Sequence, residues 1–126
     1  MTKVRRVFKT KPFIRQVKKS EINDEILCDA VEEMSQGLID ADLGHGVFKK
    51  RVRLPGRGKR GSARTILATN LFDRWFFIFG YDKNSKANIK ETEKVALAEF
   101  SELLLSFNEK GLDQALLDGY LLEICL

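Results

Sequence analysis

Apolar residues recur at two different periods in this chain, and the switch between them divides it into elements. Residues 4–9 read as a short first strand. Thr10 and Pro12 then suit the N-cap and first turn of a helix. Phe13 and Val17 lie four apart, so a basic amphipathic helix is expected to about residue 19. Ser20 or Asn23 caps a second helix with Ile26/Leu27, Ala30/Val31 and Met34 on one stripe, and Gly37 ends it. The two helices form a hairpin.

The period changes to two over residues 47–54. Phe48, Lys50, Val52 and Leu54 share one face there, and Lys49, Arg51 and Arg53 share the other. A glycine-rich basic loop follows over residues 55–61, then a second β-rich run over 63–70 and a turn over 70–73. Residues 74–81 are apolar on both faces, which predicts a central strand. The tight turn before it implies an antiparallel meander. Thr92 can cap a third helix to about residue 107, with Val95, Ala98/Glu99 and Leu103 inward. A short helix over 112–118 is broken by Gly119, and residues 120–125 form a last edge strand or a tail. The expected fold is α+β in one domain, residues 1–126, with helices on one face of a twisted antiparallel sheet. The other face, partly open, would carry the outward basic side chains.

Charge adds a direction to this picture. The 126 residues carry a net charge of +4. Residues 1–64 hold sixteen Lys or Arg against eight Asp or Glu, whereas residues 65–126 hold six against ten. A basic first half favours a polyanionic partner. Cys28 falls among helix-periodic apolar positions and reads as a core filler. With Cys125 far away it makes neither a disulfide framework nor a zinc site, so a reducing, cytoplasmic setting is expected. The basic N-terminus runs into no apolar segment, so no secretory signal is expected, and no apolar run is long enough to cross a bilayer.

The densest chemistry lies in Lys49, Arg51, Arg53, Arg57, Lys59, Arg60 and Arg64, with no acid among them. This exceeds what protecting an edge strand from aggregation requires, and it favours contact with phosphates. The glycine loop lacks the Gly-Lys-Ser/Thr ending of a nucleotide-binding P-loop and precedes a strand, which excludes that motif. Among the aromatic residues, Tyr81 at a strand end is a candidate for base stacking. The one histidine, His45, sits between two glycines and reads as a loop residue more than as a general base. No Cys/His/Asp cluster suggests a metal or cofactor, and Ser62 and Ser85 lack a paired His and Asp.

These residues carry a resemblance. Phe8-Lys9-Thr10-Lys11, residues 49–59, Ala63-Arg64-Thr65, residues 73–81 and residues 83–89 together resemble the RelE-like HigB branch of type II toxin–antitoxin toxins. The resemblance implies the RelE fold, with two N-terminal helices on a twisted antiparallel sheet and a C-terminal helix. It also implies an mRNA endoribonuclease working on ribosome-bound mRNA, and a helix-turn-helix antitoxin as partner. Arg51, Arg53, Arg64 and Lys83 match the family's catalytic cations. Lys49, Arg57, Lys59, Arg60 and Lys86 would bind RNA. The stacking tyrosine of RelE itself has no counterpart, since Asn88 or Ile89 falls near that position. RNA brings its own nucleophile, the 2′-OH, so cations that orient it and neutralise the phosphorane suffice without a metal. Two alternatives remain open: a ParE-like gyrase poison of the same fold, and a non-catalytic RNA- or ribosome-binding protein.

Overall fold

A computed structural model describes residues 5–55, 62–82 and 89–126. In chain order the elements are β1 (Arg6–Thr10), α1 (Lys11–Val17), α2 (Asp24–Ser35), β2 (Ala41–Gly44) and β3 (Val47–Arg53), then β4 (Ser62–Thr69), β5 (Arg74–Asp82), α3 (Glu91–Leu105), α4 (Glu109–Leu117) and β6 (Leu121–Ile124). Local chemistry sets the boundaries. Asn23 caps α2, its side chain accepting a hydrogen bond from the Ile26 amide at 2.9 Å. Gly37, at φ +95°, follows its last turn. Pro12 sits in the first turn of α1, but the Thr10 hydroxyl does not cap it. It donates instead to the Phe77 carbonyl at 2.9 Å, tying β1 to β5. Helix α3 starts at Glu91, not after Thr92, because the Glu93 carboxylate accepts a hydrogen bond from the Lys90 amide at 2.8 Å.

The sheet has the order β2-β3-β4-β5-β1-β6. It is mixed where an antiparallel sheet is expected, since β1 runs parallel to β5 and the other pairs are antiparallel. Short turns join β2 to β3 and β4 to β5 and dictate antiparallel pairing there, and β3 and β4 pair antiparallel as well. The long path from β1 through two helices and three strands to β5 imposes no such direction. Strand β2 has too little alternation to be seen in the sequence. It forms because Gly44, His45 and Gly46, all at positive φ, close a hairpin onto β3.

Helices lie on both faces of the sheet, a correction to the single helical layer read from the sequence. On one face Phe13 of α1 and Leu27, Val31 and Met34 of α2 pack against Phe48, Leu67, Trp75 and Phe77. On the other, Leu97 and Leu104 of α3 and Leu112 and Ala115 of α4 pack against Phe8, Ile66, Phe76 and Ile78. Both faces of β5 are therefore buried, as its unbroken apolar run requires. Gly80 lets α1 approach, since a Cβ there would lie 2.9 Å from Val17 Cγ1. Helix α3 turns a different side inward from the one expected. Leu97, Ser101 and Leu104 are buried, while Val95 and Leu103 are 58% and 55% exposed. Ser101 tolerates burial because its hydroxyl donates to the His45 carbonyl at 2.8 Å.

Two further features hold the layers together. Arg6 on β1 binds both oxygens of Glu123 on β6 and reaches Glu109 and Asp113 of α4. The hydrogen bond to Glu123 raises the pKa of the guanidinium further above its ordinary value. A disulfide joins Cys28 on α2 to Cys125 beyond β6, with Cα atoms 5.7 Å apart. Cys28 does pack against the core as expected, but the expectation of unpaired cysteines is overturned, and with it the ground for reading a reducing compartment. Sequence separation hides the pair because the sheet order brings β6 round to the far edge, under the helical layer. Among the described residues no helix is long and apolar enough to cross a membrane.

Candidate nucleic-acid interface

Strand β3 sorts its cations by alternation. Lys50 is buried, and its ammonium donates to the Leu38 carbonyl at 3.0 Å and pairs with Glu33 at 2.8 Å. It is a clamp between β3 and the end of α2. Lys49, Arg51 and Arg53 point to the opposite face, as the period predicts. The β3–β4 register then decides what faces them. Arg51 stands directly opposite Arg64, and Arg64 directly opposite Tyr81 on β5, so the three form one rung across the sheet. Arg53 faces Ser62, and the Arg64 guanidinium reaches the Ser62 hydroxyl at 3.4 Å. The next rung is Lys49, Ile66 and Phe79. Ile66 already belongs to the core under α3, so the helix covers one end of this face and leaves the arginine end open.

Like charges on facing positions repel and weaken a sheet unless an anion lies between them. Among the described residues, no acidic side chain lies within 4 Å of the charged atoms of Lys49, Arg51, Arg53 or Arg64. Elsewhere the pattern is opposite. Arg5 pairs with Glu32, Lys9 with Asp24, and Arg74 with Glu109 and Asp73. Among the described residues, the rung is thus a place where cations are gathered without an acidic partner.

Strand β2 covers β3 only as far as Lys49, which leaves the rest of β3 as a sheet edge. There the Asp40 carboxylate accepts a hydrogen bond from the Arg51 amide at 2.6 Å, fixing the strand where its ladder ends. A cavity of about 680 Å³ opens along this edge, between α2 and the strands. Arg51, Arg53 and Ser62 line one wall; Asp29 and Glu33 line the other from α2. The sequence reading missed these two carboxylates. Their signal is the spacing Ile26, Asp29, Ala30 and Glu33, which puts them beside apolar contacts of the same helix face.

The other candidates divide clearly. Tyr81 is in the rung but 8% exposed, tilted against Phe79 at 5.7 Å, so its ring is largely core. His45 does not join the site. It sits at the β2–β3 turn, six residues from Arg51, about 20 Å along an extended strand. Its Nδ1 lies 3.3 Å from Glu102. Arg57, Lys59, Arg60, Lys83 and Lys86 lie outside the described residues, as does Asn88, near the position of the family's stacking tyrosine. Ile89 packs partly buried against the core. Among the described residues no group of three His, Cys, Asp or Glu side chains is placed to hold a metal ion.

A family model described as the RelE toxin of the RelE/RelB toxin–antitoxin system matches residues 5–124. No curated protein matches the chain.

Proposed function

The chain belongs to the RelE toxin family and is the toxin of a toxin–antitoxin system; we propose that it is an mRNA endoribonuclease of the HigB branch, cutting ribosome-bound mRNA in the cytoplasm and inhibiting translation. The observation that carries this reading is the rung of Arg51 and Arg64, two arginines opposed without a counter-charge among the described residues. A phosphate bound between them supplies a counter-charge to both. Its charge rises as the 2′-OH attacks and a phosphorane forms, so paired guanidinium groups favour the transition state over the ground state.

The residues then take distinct parts. Arg64, held at the centre of the rung and half-buried, neutralises the phosphorane. Arg51 and Arg53, more exposed on β3, hold the flanking phosphates. Lys49 extends the cationic track toward α3. Lys83 would complete the catalytic set. Arg57, Lys59, Arg60 and Lys86 would extend RNA contact beyond the strands. The step is an internal transfer. The 2′-oxygen bonds to phosphorus as its proton leaves, and the 5′-oxygen departs with a proton. It yields a 2′,3′-cyclic phosphate and a 5′-hydroxyl. No part of it requires a metal-bound water.

Purified protein added to translating ribosomes tests the reading by mapping of mRNA ends. Expected are new ends carrying a 2′,3′-cyclic or 3′-phosphate, absent with Arg64→Ala. Intact mRNA together with inhibited gyrase supports a ParE-like toxin instead. Tight RNA binding without cutting overturns the nuclease assignment.

A further inference from the structure

A toxin–antitoxin pair, the reading on which this rests, needs a surface where the antitoxin takes hold, and the molecule has an apolar groove far from the arginine rung. It lies between the start of α1, the second half of α3 and the start of β6, with a volume of about 390 Å³. Phe100, Leu104, Phe107 and Leu121 make its floor. Leu103 and Tyr120 stand on its rim, 55% and 61% exposed. Four strand spacings separate β3 from β6 in the sheet, about 19 Å.

The groove exists because α3 carries two apolar stripes. Leu97 and Leu104 satisfy the core. Leu103 belongs to the other stripe, and it is left exposed among the described residues. Large apolar side chains gathered around a concavity, rather than scattered singly, mark a binding surface. Charge then selects the occupant. Lys11 and Arg15 line the groove along α1, one turn apart. Like charges at this spacing repel, and neither has an acidic partner among the described residues. Lys11 rests over the Tyr120 ring at 6.0 Å. Apart from these cations and the Tyr120 hydroxyl, the lining is apolar.

We propose that this groove is the antitoxin's docking site, and that it takes an amphipathic helix whose apolar residues at i, i+3/i+4 and i+7 fill the groove and whose acidic residues meet Lys11 and Arg15. The antitoxin thus grips the toxin toward the β6 edge of the sheet, four strands along from β3 and its Arg51. A second copy of this chain is the competing occupant, and the test separates them.

The probe is the antitoxin encoded beside this chain, purified and titrated against the whole toxin. Leu103→Glu and the pair Lys11→Glu/Arg15→Glu alter exposed side chains and leave the core intact. Each is expected to weaken antitoxin binding at least tenfold and to prevent antitoxin from relieving growth arrest. Arg15→Lys should retain binding, and Arg51→Ala should bind antitoxin as the unaltered chain does. Antitoxin affinity that falls with Arg51→Ala and not with the groove variants overturns the proposal. So does a concentration-dependent dimer of the free toxin that Leu103→Glu dissolves while antitoxin binding persists. Binding is read independently of RNA cutting. Groove-dependent binding by a chain that cuts no RNA leaves this surface standing and removes only the nuclease.

Discussion

Replacing Arg64 by Gln should make the protein more stable and less active at once. Arg51 and Arg64 face each other directly on β3 and β4. Facing residues have Cβ atoms about 4.5–5.5 Å apart. Guanidinium groups splayed to roughly 6 Å repel by about 0.7 kcal/mol in water. At physiological salt, with a Debye length of about 8 Å, the repulsion falls to about 0.3 kcal/mol, and at 1 M salt to about 0.1 kcal/mol. Unfolding entropy of about 2.1 cal/mol/K per residue over 126 residues makes 0.7 kcal/mol worth about 3 °C in Tm. Arg64→Gln and Arg51→Gln should therefore each melt higher at low salt by about that amount. Once one charge is gone, the pair repulsion cannot be removed again. The double variant should gain less than the sum, and the coupling should vanish at 1 M salt. Meanwhile RNA cutting should fall by about 10²–10³-fold with Arg64→Gln, the scale for losing one charge-stabilising donor. Thermal melts at three salt concentrations, run beside a cleavage assay, read both effects. Additive gains, or a Tm that drops for each single variant at low salt, would falsify the opposed-charge geometry, because each arginine would then be held by something other than its facing partner.

Other consequences are independent of that cycle. Lys50→Ala should cost about 2 kcal/mol, from the unpaired Leu38 carbonyl and lost Glu33 contact, with RNA affinity unchanged; a loss of affinity at constant stability contradicts its role as a clamp. Arg51→Ala and Arg53→Ala should each lower the slope of log K against log salt for RNA by roughly 0.7–0.9, and a flat salt response places both on an idle surface. The disulfide closes a sequence separation of 97 residues, so Cys125→Ser should cost up to about 4.7 kcal/mol on the chain-entropy model; denaturant midpoints that do not differ between oxidised and reduced protein exclude the bond. Cleavage should stop when the cut nucleotide is 2′-deoxy, whereas unimpaired cutting of that substrate requires a nucleophile other than the ribose hydroxyl.

What could be read in the sequence, and what could not, follows from the range of each interaction. Alternation along β3 is local, so the division between Lys50 and the outward Lys49, Arg51 and Arg53 is visible without a structure. Caps are local too, and Asn23 with Gly37 frames α2 as expected. The facing of Arg51 by Arg64 is not local. It depends on the register across β3 and β4, and one residue of slip would turn Arg64 to the face that α1 and α2 cover. The carboxylates Asp29 and Glu33 escape notice for a related reason, since only the docking of α2 on β3 brings them to the arginine edge. Direction of β1 and the union of Cys28 with Cys125 are set by the whole topology.

The misreading of α3 is of another kind, because the local signal there is strong and ambiguous. Val95, Glu99, Leu103 and Phe107 keep a helical period, as do Leu97, Ser101 and Leu104. Hydrophobicity alone favours the first set at Val95 and Leu103, and a serine in the middle of the second argues against burial. The hairpin at His45 reverses that preference by offering its carbonyl to Ser101. With the hydroxyl satisfied, the second stripe closes the core, and Leu103 of the first is left outside beside Phe107 and Tyr120. A chain that folds alone gains nothing from a spare apolar stripe, and it risks aggregation. The surplus makes physical sense for a toxin whose antitoxin covers it, which is why the place where periodicity misleads about the core is the place where a partner is expected.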